Sequence, residues 1–221
     1  MRVLAAAAAT LCCLAANVAA QEVYYPGPGD AWESRLPGQV GMDPDGVRAA
    51  VDFAMSHEIG WLPDMVEQMT RSLSRQPYRE LVGPLKDRVG PSGLIMRHGY
   101  IVAEWGDTRR VDMTFSVTKS YLATVAGLAL DRGLIRDVHD PVSQYVHDGG
   151  FEGHNAPITW HQMLNQTNEW EGELFGIPDV ADRREGRDRA LNQPGTFWEY
   201  NDVRVNRTAL SLLRVFGRAL P

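Results

Sequence analysis

Three stretches of this sequence predict an α/β chain, with one β-hairpin set among helices. "GLIMRHGYIVAEWG", residues 93–106, places two β-rich runs on either side of His98-Gly99, where glycine supplies the positive φ of a tight turn. "TFSVTKSYLATVAGLALDRG" carries Leu122, Val125, Ala126, Ala129 and Leu130 at helical spacing, with Gly133 placed to end the helix. Near the end, Val205, Ala209, Leu212, Leu213 and Phe216 mark another helix.

The first twenty residues, "MRVLAAAAATLCCLAANVAA", are expected to stand outside the fold. Arg2 gives a basic start, Val3 to Val18 an almost unbroken apolar run, and Val18 and Ala20 the small residues before a cut between Ala20 and Gln21. That is the pattern of a secretory signal. The run is short and Ala-rich for a spanning helix, and no second one follows. A periplasmic or secreted chain is expected, with no stable membrane insertion after cleavage. Cys12 and Cys13 both lie in this segment, so the mature chain would have no disulfide, thiol nucleophile or zinc–thiolate site.

Residues 21–42, with "YYPGPGD" and "RLPGQVG", read as an extended lead-in. Asp43-Pro44 opens a helix, aspartate as cap and proline in the first turn, and Val47, Ala50, Val51, Ala54 and Ile59 give it one apolar face. Pro63, Pro77, Pro84 and Pro91 break residues 61–92 into short pieces, where no element is predicted. The hairpin closes an N-terminal region of residues 43–115, and a helical region of 116–221 follows. Within it Thr159 opens a helix in "ITWHQMLNQT", and the charge run "ADRREGRDRA", 181–190, reads as a solvated face.

Composition excludes more than it assigns. A formal net charge of −6 argues against nucleic acid as a partner, while 44% hydrophobic and 23% charged residues are ordinary for a globular protein. His57, His98, His139, His147, His154 and His161 form no His-x-x-x-His or His-Glu-x-x-His pair, so no metal site is expected.

The chemistry lies in "FSVTKS", residues 115–120. Positions i and i+3 share a helix face, so Ser116 and Lys119 can meet. At a helix N-terminus, unpaired N–H groups and the positive dipole end can steady an oxyanion. The same field, with desolvation, is expected to lower the Lys119 pKa and make its neutral amine a base for the serine. Taken alone, serine as N-cap and lysine as surface residue is the commoner meaning of this spacing. A second signal stands about eighty residues on, in "PGTFWEYND", 194–202, where the Tyr200 hydroxyl could relay a proton beside Lys119.

With these motifs in this order, the chain resembles the serine β-lactamase and penicillin-binding-protein superfamily, closest to its class C-like branch, which also holds esterases and amide hydrolases. The resemblance covers residues 36 to about 218. It includes the hairpin, "TFSVTKSYLATVAGLALDRGLIRDVHDPVSQYV" as the nucleophile helix with its following turn, "ITWHQMLNQTNEWEG", and "PGTFWEYNDVRVNRTALSLL" as the tyrosine-bearing loop and helix. It implies a β-lactamase/transpeptidase-like fold, an α/β region beside an α-helical region. It also implies Ser116 as the acyl-accepting nucleophile, Lys119 as its base and Tyr200 as the second proton-transfer group. The expected reaction is hydrolysis of a small-molecule ester or amide through a serine acyl-enzyme, with no cofactor. A β-lactamase or D-alanyl carboxypeptidase is one alternative, and an inert ligand-binding or sensor module another.

Two departures from the family pattern stand out. Its Tyr-x-Asn reads Tyr200-Asn201-Asp202 here, so the residue expected to meet substrate is an acid that cannot donate to a carbonyl when ionised. That favours an ester or amide other than a penicillin. Nothing after Tyr200 resembles the family's Lys-Thr-Gly or His-x-Gly strand, so the chain is expected to be the first part of a longer protein with its closing strands missing.

Overall fold

The computed structural model describes residues 24–29, 31–75, 78–81, 83–183 and 186–220, so the expected signal at 1–20 lies outside the described residues. The chain divides into two compact units, Met1–Trp61 with Val89–Val111 and Leu62–Arg88 with Asp112–Pro221.

In the first unit, helix α1 spans Pro44–Ser56, with the Asp43 carboxylate accepting the N–H groups of Asp45 and Gly46 at 3.3 and 3.0 Å. Val47 is buried and Val51 and Ala54 half-buried, but Ala50 is exposed, and Ile59 lies beyond the last turn. Strands β1 (Gly93–Arg97) and β2 (Tyr100–Trp105) pair antiparallel, with a register shift between Ile95 and Met96. His98 and Gly99 have φ of 52° and 85°, the two left-handed residues that a two-residue hairpin loop requires. A Cβ at Gly99 would stand 2.2 Å from the Tyr24 carbonyl oxygen, a second reason for glycine there. The lead-in runs parallel beside β2 at a single bridge, Ser34 to Ile101, and Tyr24 stacks on Tyr100 with ring centroids 4.4 Å apart.

The second unit is built on helices. Where the prolines discouraged any assignment, α2 forms over Met65–Ser72, its N-terminus capped by Asp64 accepting the Glu67 N–H at 2.9 Å. Pro63 stands just before this helix rather than inside it. Helix α3 covers Thr118–Asp131 and sends Ala126 and Ala129 into a core with Ile135, Val142, Phe151, Ile158, Trp160 and Met163. Helix α4, Trp160–Leu164, starts at Thr159, which exchanges hydrogen bonds with Gln162 in a capping box. The short strands β3 (Glu173–Leu174) and β4 (Ile177–Pro178) form a second, separate hairpin.

The last helix, α5, runs over Asp202–Phe216 and corrects the sequence expectation. Of its predicted apolar face only Leu212 is fully buried, while Val205, Ala209, Leu213 and Phe216 are half-buried. The buried positions are Val203, Arg204, Arg207, Thr208, Ser211 and Leu212. A largely polar face can go inside because most of its polar atoms find partners there, Arg207 Nε being an exception. Thr208 and Ser211 donate to the carbonyls of Arg204 and Arg207 at 3.0 and 2.8 Å, and both arginines are ion-paired. Among the described residues, no helix is long and apolar enough to cross a membrane.

Candidate active site

Ser116 does not sit inside α3 but on a 3₁₀ turn, Phe115–Val117, that leads into it. The turn uses the N–H groups expected to stand open at the helix start: Val117 donates to the Thr114 carbonyl at 3.0 Å, and Thr118 turns back to Phe115. Phe115, next to the serine, has φ of 45°, in the left-handed region where a non-glycine residue is strained by about 1–3 kcal/mol. Ser116 is exposed and Lys119 half-buried.

The three residues singled out by their motifs meet. Ser116 Oγ and the Tyr200 hydroxyl share a hydrogen bond of 2.6 Å across 84 positions of chain, and Lys119 Nζ donates to Ser116 Oγ at 3.2 Å. Lys119 Nζ also lies 4.6 Å from the centroid of the Tyr200 ring. Asp202, expected to face substrate, has its carboxylate 2.6 Å from Lys119 Nζ.

This arrangement reverses the expected lysine chemistry. Burial by itself lowers the Lys119 pKa, but hydrogen bonds to Asp202 and Tyr200, with the charge of both groups, outweigh it and raise the pKa above the ordinary lysine value. Lys119 is therefore an ammonium at neutral pH. A protonated Lys119 donates to Ser116 Oγ, which leaves the serine hydroxyl hydrogen free to point at the Tyr200 oxygen.

What holds Tyr200 was not foreseen. Both of its neighbours are buried: Glu199 in a charge network, and Asn201, which caps α5 by accepting the Arg204 N–H and donates to the Asp179 carbonyl at 3.0 Å. Arg204 donates to Glu169 at 2.7 Å, Asp179 at 3.2 Å and Glu199 at 3.3 Å. Arg189 donates to both Glu169 oxygens and to Glu199 within 2.7 Å, and Arg183 pairs with Asp179 at 2.8 Å. Three guanidiniums thus face three carboxylates. Burial would raise the Glu169 pKa, but hydrogen bonds from Arg189, the Asn192 N–H and Arg204 hold it down at about 2. The expected solvated face at 181–190 holds for Arg187 and Asp188, which are exposed, and is corrected for Arg183 and Arg189, whose side chains close into this network. A hydrophobicity pattern cannot see charge pairs, whether they span four positions, as Arg183 and Asp179 do, or thirty-five, as Arg204 and Glu169 do.

Beside Lys119 and Asp202, a cavity of about 440 Å³ opens between α3 and α5, lined mainly by Phe115, Tyr121, Leu122, Val125, Val205 and Ala209. Among the described residues, no group of three or more His, Cys, Asp or Glu side chains is placed to hold a metal ion. No family model matches the chain, and no curated protein matches it either.

Proposed function

We propose that this chain is an exported serine hydrolase of the β-lactamase and penicillin-binding-protein-like superfamily, cleaving an ester or amide through an acyl-enzyme on Ser116. One observation carries the reading: Ser116, Lys119 and Tyr200, from a turn, a helix and a distant loop, meet within 3.2 Å of one serine oxygen. Chance seldom brings a nucleophile, a cation and a phenol together in the family's order.

In the proposed reaction, Ser116 Oγ attacks the substrate carbonyl carbon as its proton passes to the phenolate form of Tyr200, whose charge the Lys119 ammonium beside it offsets. Tyr200 then returns that proton to the leaving alcohol or amine. Water attacks the Ser116 ester, gives a proton to Tyr200, and the serine leaves with it. The Asp202 carboxylate, tied to Lys119, offers no hydrogen to a substrate carbonyl, which supports an ester or amide other than a penicillin-like lactam. Export rests on the signal-like segment of residues 1–20.

The test is covalent labelling of the full chain with a fluorophosphonate, followed by peptide mapping. Modification at Ser116, absent in Ser116→Ala, is expected. Labelling that persists in Ser116→Ala would sink the assignment.

A further inference from the structure

Asp202 is the first residue of α5, yet it does not cap that helix. Asn201 does so, with its side chain on the Arg204 N–H at 3.1 Å, and the Asp202 carboxylate is turned to Lys119 instead. The backbone of Asp202 is fixed as well, its N–H donating to the Asp182 carboxylate at 2.5 Å. An acid so placed has two ordinary uses, to complement the helix dipole or to hold a particular cation. The 2.6 Å contact selects the second.

We propose that Asp202 is a positioning residue that keeps Lys119 an ammonium against the Ser116–Tyr200 hydrogen bond, so that the serine proton goes to the phenolate oxygen of Tyr200 and not to the amine. This rests on the hydrolase reading above. The groups that face Lys119 are Asp202 from α5, Tyr200 from the loop before it and Ser116 from the 3₁₀ turn, with Tyr121 and Asn206 lining the same cavity. Asp182 stands behind Asp202, on its N–H. Of these, Asp202 supplies the carboxylate in contact with the ammonium. With an amide in its place, Lys119 would keep the burial that opposes its charge and lose the contact that supports it. The residue at 202 therefore decides which group takes the proton.

The chain makes this measurable, because it contains two lysines, Lys86 and Lys119. Lysine labelled with ¹³C and ¹⁵N gives two assignable side-chain signals, to be followed against pH in the full chain. The variants are Asp202→Asn, Asp202→Ser as a second uncharged form should the first not fold, and Asp202→Glu. The Lys119 midpoint is expected to fall in the uncharged variants and to recover in Asp202→Glu, with Lys86 as internal reference. Unchanged Lys119 titration in both uncharged variants overturns the proposal.

Fluorophosphonate labelling of Ser116 against pH supplies the second readout. The expected signature in Asp202→Asn is a profile moved to lower pH with a lower plateau, since the contact that supports the Lys119 charge is gone. An opposite charge in contact commonly shifts an ionisation equilibrium by an order of magnitude, so the profile should move by about one pH unit. A plateau that rises would make the amine the base and overturn the proposal. A wild-type chain unlabelled at Ser116 would sink the hydrolase reading and the proposal with it. Normal labelling with an unmoved lysine midpoint would sink the Asp202 proposal alone.

Discussion

Two charge clusters share the start of α5, and they differ in nearly every physical respect. Asp202 points to Lys119, in a pair whose side chains remain 55% and 24% exposed. Two residues later Arg204, 1% exposed, joins Glu169, Glu199 and Asp179 in a network closed to solvent. In the first cluster water screens the charges, so the pair adds little to stability, about 1 kcal/mol or less, and its protonation can respond to neighbours and ligands. In the second the charges are desolvated, so each depends on its partners, and removing one leaves others stranded. Similar side chains stay responsive to their surroundings where they are open and fix position where they are sealed.

The largest expected effect tests the sealed cluster. Arg204→Met leaves buried carboxylates short of a partner, and urea unfolding should register a loss of about 3–5 kcal/mol. A loss below about 1 kcal/mol would mean that the cluster behaves like the exposed pair, and the contrast would collapse.

Acid should act on the same cluster. The Glu169 carboxyl is held near 2 against an ordinary value of 4.5, so its contribution is complete above about 4.5 and disappears as pH falls toward 2. Urea unfolding between pH 6 and pH 2.5 should show stability falling across this window, Glu169 accounting for up to about 3 kcal/mol of the whole. A flat profile over that range would contradict the role given to Glu169.

The smallest effect belongs to the open pair. Asp202→Asn should change unfolding free energy by about 1 kcal/mol or less, although the same substitution alters the titration of Lys119. A loss comparable with that of Arg204→Met would mean that Asp202 is structural.

The elements readable in the sequence are those whose signals are local. Asp43-Pro44, Thr159 with Gln162, and His98-Gly99 specify a cap, a capping box and a turn through residues at most three apart, and the structure has all three. Ser116 and Lys119 are legible for the same reason, since one helical turn brings them together. Helix α2 is masked in the sequence by the frequent prolines around it, although thirteen residues free of proline follow Pro63 and Asp64 opens eight of them as a helix. The charge of Lys119 leaves no local trace because it depends on Asp202, 83 positions away by sequence, and the burial of the arginines depends on partners up to 35 positions away. The left-handed φ of Phe115 leaves no compositional trace, as the residue is not glycine.

The helical geometry of α5 ties the two clusters to one another in a way that limits how the gene can change. Adjacent residues on an α-helix differ by about 100° in direction, so Asp202 and Arg204 point roughly 200° apart, one outward and one inward. A substitution at either position disturbs one cluster. An insertion or deletion of a single codon between Asp202 and Arg204 would turn Asp202 by about 100° against the rest of the helix, so that Lys119 and the sealed network could not both keep their partners. Length in this short stretch is therefore under stricter constraint than composition, and related chains should vary here by exchange of residues and not by gain or loss of them.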